Sequence, residues 1–318
     1  MNKTPFISEP IVVGKDTKYP LKGLLTLPAD FSKPVPAVVF VHGSGSSNMD
    51  EKVGKLTPFK DLAEGLAGHG VASIRYDKRS FAHGLKLVMN KNITITVKEE
   101  TIEDAILATD LLRKDPRIDS ENIYIIGHSM GAMLAPRIDV EGGDYKGLIL
   151  MAGSPRKLEE IMRDQNQDVI RSTKGMVQKI VQKQMDKFSA IFDGLYELSD
   201  DEAKQKKIGN GVTAYYFKEM GEHDAASYLA PMEKPILIMQ GDKDFQATVD
   251  RDYHAYEQLL SGKSNVTFHL YEGLNHAFVP SVYGDIMKAK QEYSKEQHIG
   301  DPVIADIAEW IQNASNHN

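Results

Sequence analysis

Six short runs of almost unbroken apolar residues punctuate this chain, separated by stretches with helical spacing. They are Pro36 to Val41, Val71 to Tyr76, Asn122 to Ile126, Lys146 to Met151, Pro235 to Gln240 and Val266 to Leu270. A strand with one wet face alternates apolar and polar residues. A run without alternation is covered on both faces, as in a parallel sheet between two layers of helices. Ile11 to Val13 and Leu21 to Leu27 read instead as an antiparallel hairpin at the sheet edge.

The intervening stretches supply the helices. Thr57-Pro58 offers an N-cap and a proline at the first helical position. Phe59, Leu62, Ala63, Leu66 and Ala67 then make one apolar face. Ile102, Ala105, Ile106, Thr109 and Leu112 make a second, stopped before Pro116. Asp301-Pro302 starts a last helix with Val303, Ile304, Ile307, Ala308 and Ile311 inward. Strand and helix alternate, so the expected fold is α/β: a three-layer α/β/α sandwich with a mostly parallel sheet.

Residues 155–230 break this rhythm. They are rich in Lys, Asp, Gln and Met and hold no convincing strand. Val177, Ile180, Val181, Phe188, Ile191, Phe192 and Leu195 follow helical spacing, with Lys179, Lys183 and Lys187 on another face. The segment reads as a helical cap inserted into a core of residues 1–154 and 231–318. Its lysines read first as a solvated helix face.

One run leads directly into chemistry. Ile123 to Ile126 precedes Gly127-His128-Ser129-Met130-Gly131, and good helix formers follow, Ala132 to Ala135. Strand, sharp turn and helix around Gly-x-Ser-x-Gly form a nucleophile elbow, which lifts a serine hydroxyl above the sheet edge. A serine needs a base, usually a histidine oriented by a carboxylate. Gly241-Asp242-Lys243-Asp244 follows the fifth run and Gly273-Leu274-Asn275-His276 the sixth, giving the chain order Ser, Asp, His. Each candidate lies just past the carboxyl end of a strand, where open α/β sheets place their sites. Ser129 is the expected nucleophile, His276 the base and Asp244 the acid, with Asp242 the alternative acid. After the first run, His42-Gly43-Ser44-Gly45 can turn backbone N–H groups toward an oxyanion. The expected donors are the N–H groups of Ser44 and Met130, with Gly45 the alternative to Ser44. His42 and His128 are expected to hydrogen-bond locally; no motif surrounds His69, His83 or His254.

On these residues, together with Tyr76-Asp77-Lys78-Arg79, the chain resembles the α/β-hydrolase superfamily. More closely, it is similar to bacterial serine esterases and acyl hydrolases of the dienelactone-hydrolase and bile-acid-acyltransferase-like branch. The resemblance spans most of the chain but not the insertion. It implies that the acid is the last residue of Gly-x-x-Asp, here Asp244. The chain departs from these relatives at Ser80, where a glycine is common, which leaves the shape of that loop open.

The expected activity is hydrolysis of small carboxylic esters through an acyl-enzyme, with no metal or organic cofactor, and with kcat/KM rising with pH as the base loses its proton. A thioesterase or acyltransferase acting on acyl-CoA would use the same triad, with Lys179, Lys183 and Lys187 as the only hint of a phosphate-binding entrance. A serine aminopeptidase would need an acidic group for the substrate amine, and Glu159, Glu160 or Glu197 are its candidates. A binding protein that keeps the fold is the remaining alternative. Met151, Met162, Met176 and Met185 either line an acyl pocket or fill core gaps.

Composition narrows the classes. Across 318 residues the formal net charge is −7, and no long basic tract occurs, so nucleic-acid binding has no electrostatic support. The absence of cysteine removes disulfides and thiolate chemistry. The polar start, Met1 to Pro5, carries no signal-peptide pattern, and no stretch approaches the roughly 18 apolar residues of a membrane span. A cytoplasmic protein without membrane insertion is expected, and homo-oligomerisation stays open.

Overall fold

The computed structural model describes residues 6–90, 93–209 and 211–316; the polar start, Met1 to Pro5, lies outside them. Eight strands form one sheet: β1 (Phe6–Val13), β2 (Leu21–Pro28), β3 (Val35–Val41), β4 (Ala72–Tyr76), β5 (Ile118–His128), β6 (Gly147–Met151), β9 (Ile236–Gly241) and β10 (Val266–Tyr271). A separate small hairpin holds β7 (Lys207–Gly209) and β8 (Val212–Thr213). The sheet order is β1-β2-β4-β3-β5-β6-β9-β10. From β4 to β10 every pairing is parallel, while β1 and β2 join antiparallel at one edge, as the apolar runs imply.

Alternate residues of the central strands feed two different cores. Val39, Ile125, Leu148 and Ile238 pack on one side with Ala105 and Leu112 of α3 (Glu103–Lys114). Val38, Phe40, Ile126, Ile149 and Leu237 pack on the other with α1 (Pro58–Gly68) and the C-terminal helix Asp301–Asn316. Each fully buried side chain of this size contributes about 1.5–3 kcal/mol relative to exposure. Burial on both faces is why these strands show no alternation. This is the α/β-hydrolase arrangement.

Topology sets the position of the site. β3 lies between β4 and β5, so the chain leaves β3 and β5 toward opposite edges of the sheet. Such a switch opens a crevice at the carboxyl ends of the strands. Register places Val41 opposite Gly127, and Gly241 opposite Tyr271. The loops after β3 and β5 are therefore neighbours, and so are the loops after β9 and β10.

Between β6 and β9 the chain forms α5 (Leu158–Arg171), α6 (Gly175–Ser189), α7 (Asp200–Gln205), α8 (Ala214–Glu222) and α9 (Ala225–Leu229). Two features depart from the sequence reading. The hairpin β7–β8 interrupts the helices, supported by left-handed glycines at Gly209 and Gly211 and too short to show an apolar run. The apolar stripe is not one covered face: Phe192 and Leu195 are buried, whereas Val177 and Ile180 stand in solvent. The loop left open after Arg79 is a helix, α2 (Arg79–Met89). Arg79 anchors it, its guanidinium reaching Asp104 at 2.5 and 2.9 Å and Glu103 at 2.8 Å. Burial raises the Asp104 carboxyl to about 6 despite that guanidinium.

Candidate active site

The turn at Ser129 is as tight as its glycines suggest. Ser129 has φ 55° and ψ −120°, a left-handed geometry that a non-glycine residue adopts only under constraint. The constraint comes from packing. A Cβ at Gly127 would lie 2.3 Å from the Gly131 carbonyl oxygen, and one at Gly131 would lie 2.0 Å from that of Val41. No side chain fits at either position. The Ser129 N–H donates to the Met151 carbonyl at 2.9 Å, and α4 (Met130–Ile138) begins at once.

His276 stands on the loop after β10. Its Nδ1 lies 2.7 Å from Asp244 Oδ2. The Asp244 side chain is wholly buried. It also accepts from Gln240 Nε2 at 2.9 Å and from the N–H groups of Gln246 and Ala247 at 2.7 and 3.1 Å. An acceptor so surrounded accepts a hydrogen bond from Nδ1–H, a tautomer that leaves Nε2 free as the base. Asp242 does something else: it accepts from the Gly273 N–H at 2.6 Å and pairs with Lys243 at 2.9 Å. Of the two acids, Asp244 is the one that meets the imidazole.

Ser129, His276 and Ser44 line one cavity of about 690 Å³. Its walls are mostly apolar, with Leu87, Val88, Met133, Ile161, Met162 and Phe217 among them. No hydrogen bond joins Ser129 Oγ to His276 among the described residues; such contacts are often long in an unliganded site and tighten around substrate. Among the described residues, neither the Ser44 nor the Met130 N–H donates a turn, loop or cap hydrogen bond to the backbone. The methionines divide: Met162 lines the cavity, Met151 is in the core, Met176 is exposed, and Met130 and Met133 line the cavity unforeseen. Phe188 and Phe192 do not reach it. Phe192 packs on Phe217, the ring centroids being 4.9 Å apart, and Phe188 packs on Phe192. Lys179, Lys183 and Lys187 surround a different cavity on α6 that shares no lining residue with this one.

A second histidine–carboxylate pair supports the first, and no motif marks its acid in the chain. Glu51 Oε1 accepts from the Gly43 N–H at 2.6 Å, while Oε2 faces His128 Nδ1 at 2.9 Å. His128 Nε2 donates to the His276 carbonyl at 2.8 Å. This bridge ties the loop after β3 to the loop carrying His276. His42 does bond locally, to the Asn48 carbonyl at 3.0 Å, and burial holds it neutral with a pKa of about 4.

The buried pair predicts a pH-dependent stability. Burial opposes both charges, but their mutual attraction outweighs it, helped by the Gly43 N–H on Glu51 and the His276 carbonyl on His128, lowering the Glu51 pKa and raising that of His128. The Glu51 contribution is complete above the unfolded carboxyl value of ~4.3 and is lost as pH falls through its lower folded pKa. The His128 contribution is complete below the unfolded value of ~6.5 and is lost as pH rises through its higher folded pKa. The pair therefore stabilises most between about pH 4.3 and 6.5. Glu51→Gln should cost up to about 3 kcal/mol there, the low end for a broken buried pair because His128 can release its proton. Thermal melts of both proteins across pH check this; a Tm difference constant from pH 3 to 9 would contradict it.

Comparison with known proteins adds three findings. The pattern of the serine aminopeptidase (S33) family matches residues 32–280. Esterase EstD of Thermotoga maritima is 34% identical over 291 residues, which are 92% of this chain and 65% of that protein. The chain thus spans just under two thirds of the length of the curated relative it matches. Among solved structures, the Pyrococcus furiosus esterase Pf2001 superposes with a TM-score of 0.57 at 16% identity, covering 97% of this chain and 91% of the other. Est1E from Butyrivibrio proteoclasticus gives 0.54 at 14% identity, covering 96% and 98%. These two likenesses are likenesses of fold.

Proposed function

Because the chain belongs to the serine aminopeptidase (S33) family, we propose that it is a serine hydrolase of small carboxylic esters working through an acyl-enzyme. The observation that carries the proposal is one apolar cavity entered by both Ser129 and His276, with Asp244 buried at 2.7 Å behind the imidazole. Ser129 Oγ attacks the ester carbonyl carbon while His276 Nε2 takes its proton. Asp244 stabilises the imidazolium that forms. The N–H groups of Ser44 and Met130 hold the tetrahedral oxyanion. The C–O bond to the alcohol breaks and His276 returns the proton to the leaving oxygen. Water, deprotonated by His276, then attacks the acyl-enzyme, and the acid leaves as Ser129 recovers its proton. The similarity to an esterase over 92% of the chain agrees with this reading.

The family's description raises a peptidase reading, but the acids that would hold a substrate amine are not in the cavity. Glu159 is buried and bonded to Tyr196, and neither Glu160 nor Glu197 lines the cavity. Among the described residues, Glu100 is the one carboxylate on the wall, and Lys78 and Tyr216 already occupy it. A panel of p-nitrophenyl esters of rising acyl length, beside aminoacyl p-nitroanilides, tests the assignment. Faster turnover of the anilides would overturn it.

The elements between β6 and β9 act as the cap over this cavity and set acyl length. Ile161 and Met162 of α5 and Phe217 of α8 supply its far wall. Phe217→Ala should shift the kcat/KM ratio of long to short acyl esters by about tenfold toward long chains, the scale for a methylene or two in an apolar pocket. An equal effect on both chain lengths would remove the cap as the specificity element.

A further inference from the structure

Lys78 is fully buried beside the site, yet the mechanism above does not use it. Its Nζ donates to the carbonyl oxygens of Gly43 and Gly45 at 2.9 and 3.1 Å. Its own N–H donates to the Ser47 carbonyl at 3.0 Å. One side chain thus grips the loop that carries the expected oxyanion donor. In a trans peptide, the C=O and the next residue's N–H point in opposite directions. Holding the Gly43 carbonyl against Lys78 turns the Ser44 N–H away from it, on a residue that lines the cavity.

The grip continues into the elements above the site. Lys78 Nζ lies 3.5 Å from Glu100 Oε1, and Glu100 Oε2 accepts from the Tyr216 hydroxyl at 2.7 Å. Tyr216 belongs to α8 and lines the cavity; its hydroxyl also lies 3.8 Å from Met130 Sδ. Met130 supplies the other expected donor. The same tyrosine therefore meets the carboxylate that pairs with Lys78 and the side chain of Met130. Burial keeps its phenol protonated, with Glu100 adding to that, so it acts as a donor. A buried ammonium that kept only its packing would be costly; here Glu100 and two carbonyls compensate it.

We propose that Lys78 is a positioning residue that orients the Ser44 N–H toward the oxyanion, and that Glu100 and Tyr216 hold it there, linking the cap to the oxyanion hole. The proposal rests on the esterase reading. It predicts a loss confined to the transition state, because the loop, not the acyl pocket, is disturbed. Lys78→Met should lower kcat for the preferred p-nitrophenyl ester by on the order of 10²-fold, as for loss of one oxyanion donor, with KM within about threefold. An alkyl trifluoromethyl ketone, which becomes tetrahedral on Ser129, should bind more weakly by the same factor. Tyr216→Phe, which keeps the ring, should lower kcat about fivefold in the same pattern. Should Lys78→Met not fold, Tyr216→Phe and Glu100→Gln carry the test with the same readouts. Unchanged kcat and ketone affinity, or a rise in KM alone, overturns the proposal while fluorophosphonate labelling of the wild type and its faster turnover of esters than of anilides preserve the esterase reading. A wild type that is not labelled overturns both.

Discussion

Ser129→Ala should lose all fluorophosphonate labelling and on the order of 10⁶ in kcat, the scale on which a triad nucleophile is removed. The chain should still fold. Alanine deletes one oxygen and inherits the same constraint at φ 55°, since the glycines on either side, not the hydroxyl, fix the turn. Mass spectrometry of the labelled protein and a melt of the variant measure the two halves. Full activity in a well-folded Ser129→Ala protein would end the serine-hydrolase account.

Asp244→Asn should cost about 10⁴ in kcat, and Asp242→Asn less than about tenfold. The reason lies in what surrounds each carboxylate. Asp244 is encircled by donors: Gln240, two backbone N–H groups and His276. An amide there brings its own N–H groups into a site built for acceptors. If the amide nitrogen faces the imidazole, Nδ1 must accept, and the proton moves to Nε2, where a base is needed. Asp242 is partly exposed and holds the Gly273 turn and Lys243, so its amide disturbs a loop and not a proton path. Steady-state kinetics of both variants decide the matter. A reversal of the two effects would move the acid to Asp242 and leave the serine mechanism standing.

Much of this was legible in the residues. The unbroken apolar runs implied strands covered on both faces, and the two cores on opposite sides of β3, β5, β6 and β9 are the cause. The elbow was legible because close packing around Gly127 and Gly131 excludes every side chain, leaving a local signature. Chain order and strand ends pointed to Asp244 and His276, since the carboxyl edge of such a sheet gathers its loops. What spacing could not supply was contact between distant segments. Glu51 reaches Gly43 and His128, and Glu100 meets Lys78 and Tyr216, across gaps in sequence that no period records. The stripe of residues 177–195 misled for a related reason. Helical spacing says which residues share a face, but only the packing of α8 against the site decided that Phe217, and not Phe188 or Phe192, meets the cavity. The sequence by itself determined the sheet, the turn and the chemistry at its edge, because strand burial and backbone sterics act over a few residues. The tertiary structure alone decided what braces the loop after β3 and what walls the pocket, because those are encounters between chain segments that local spacing does not encode.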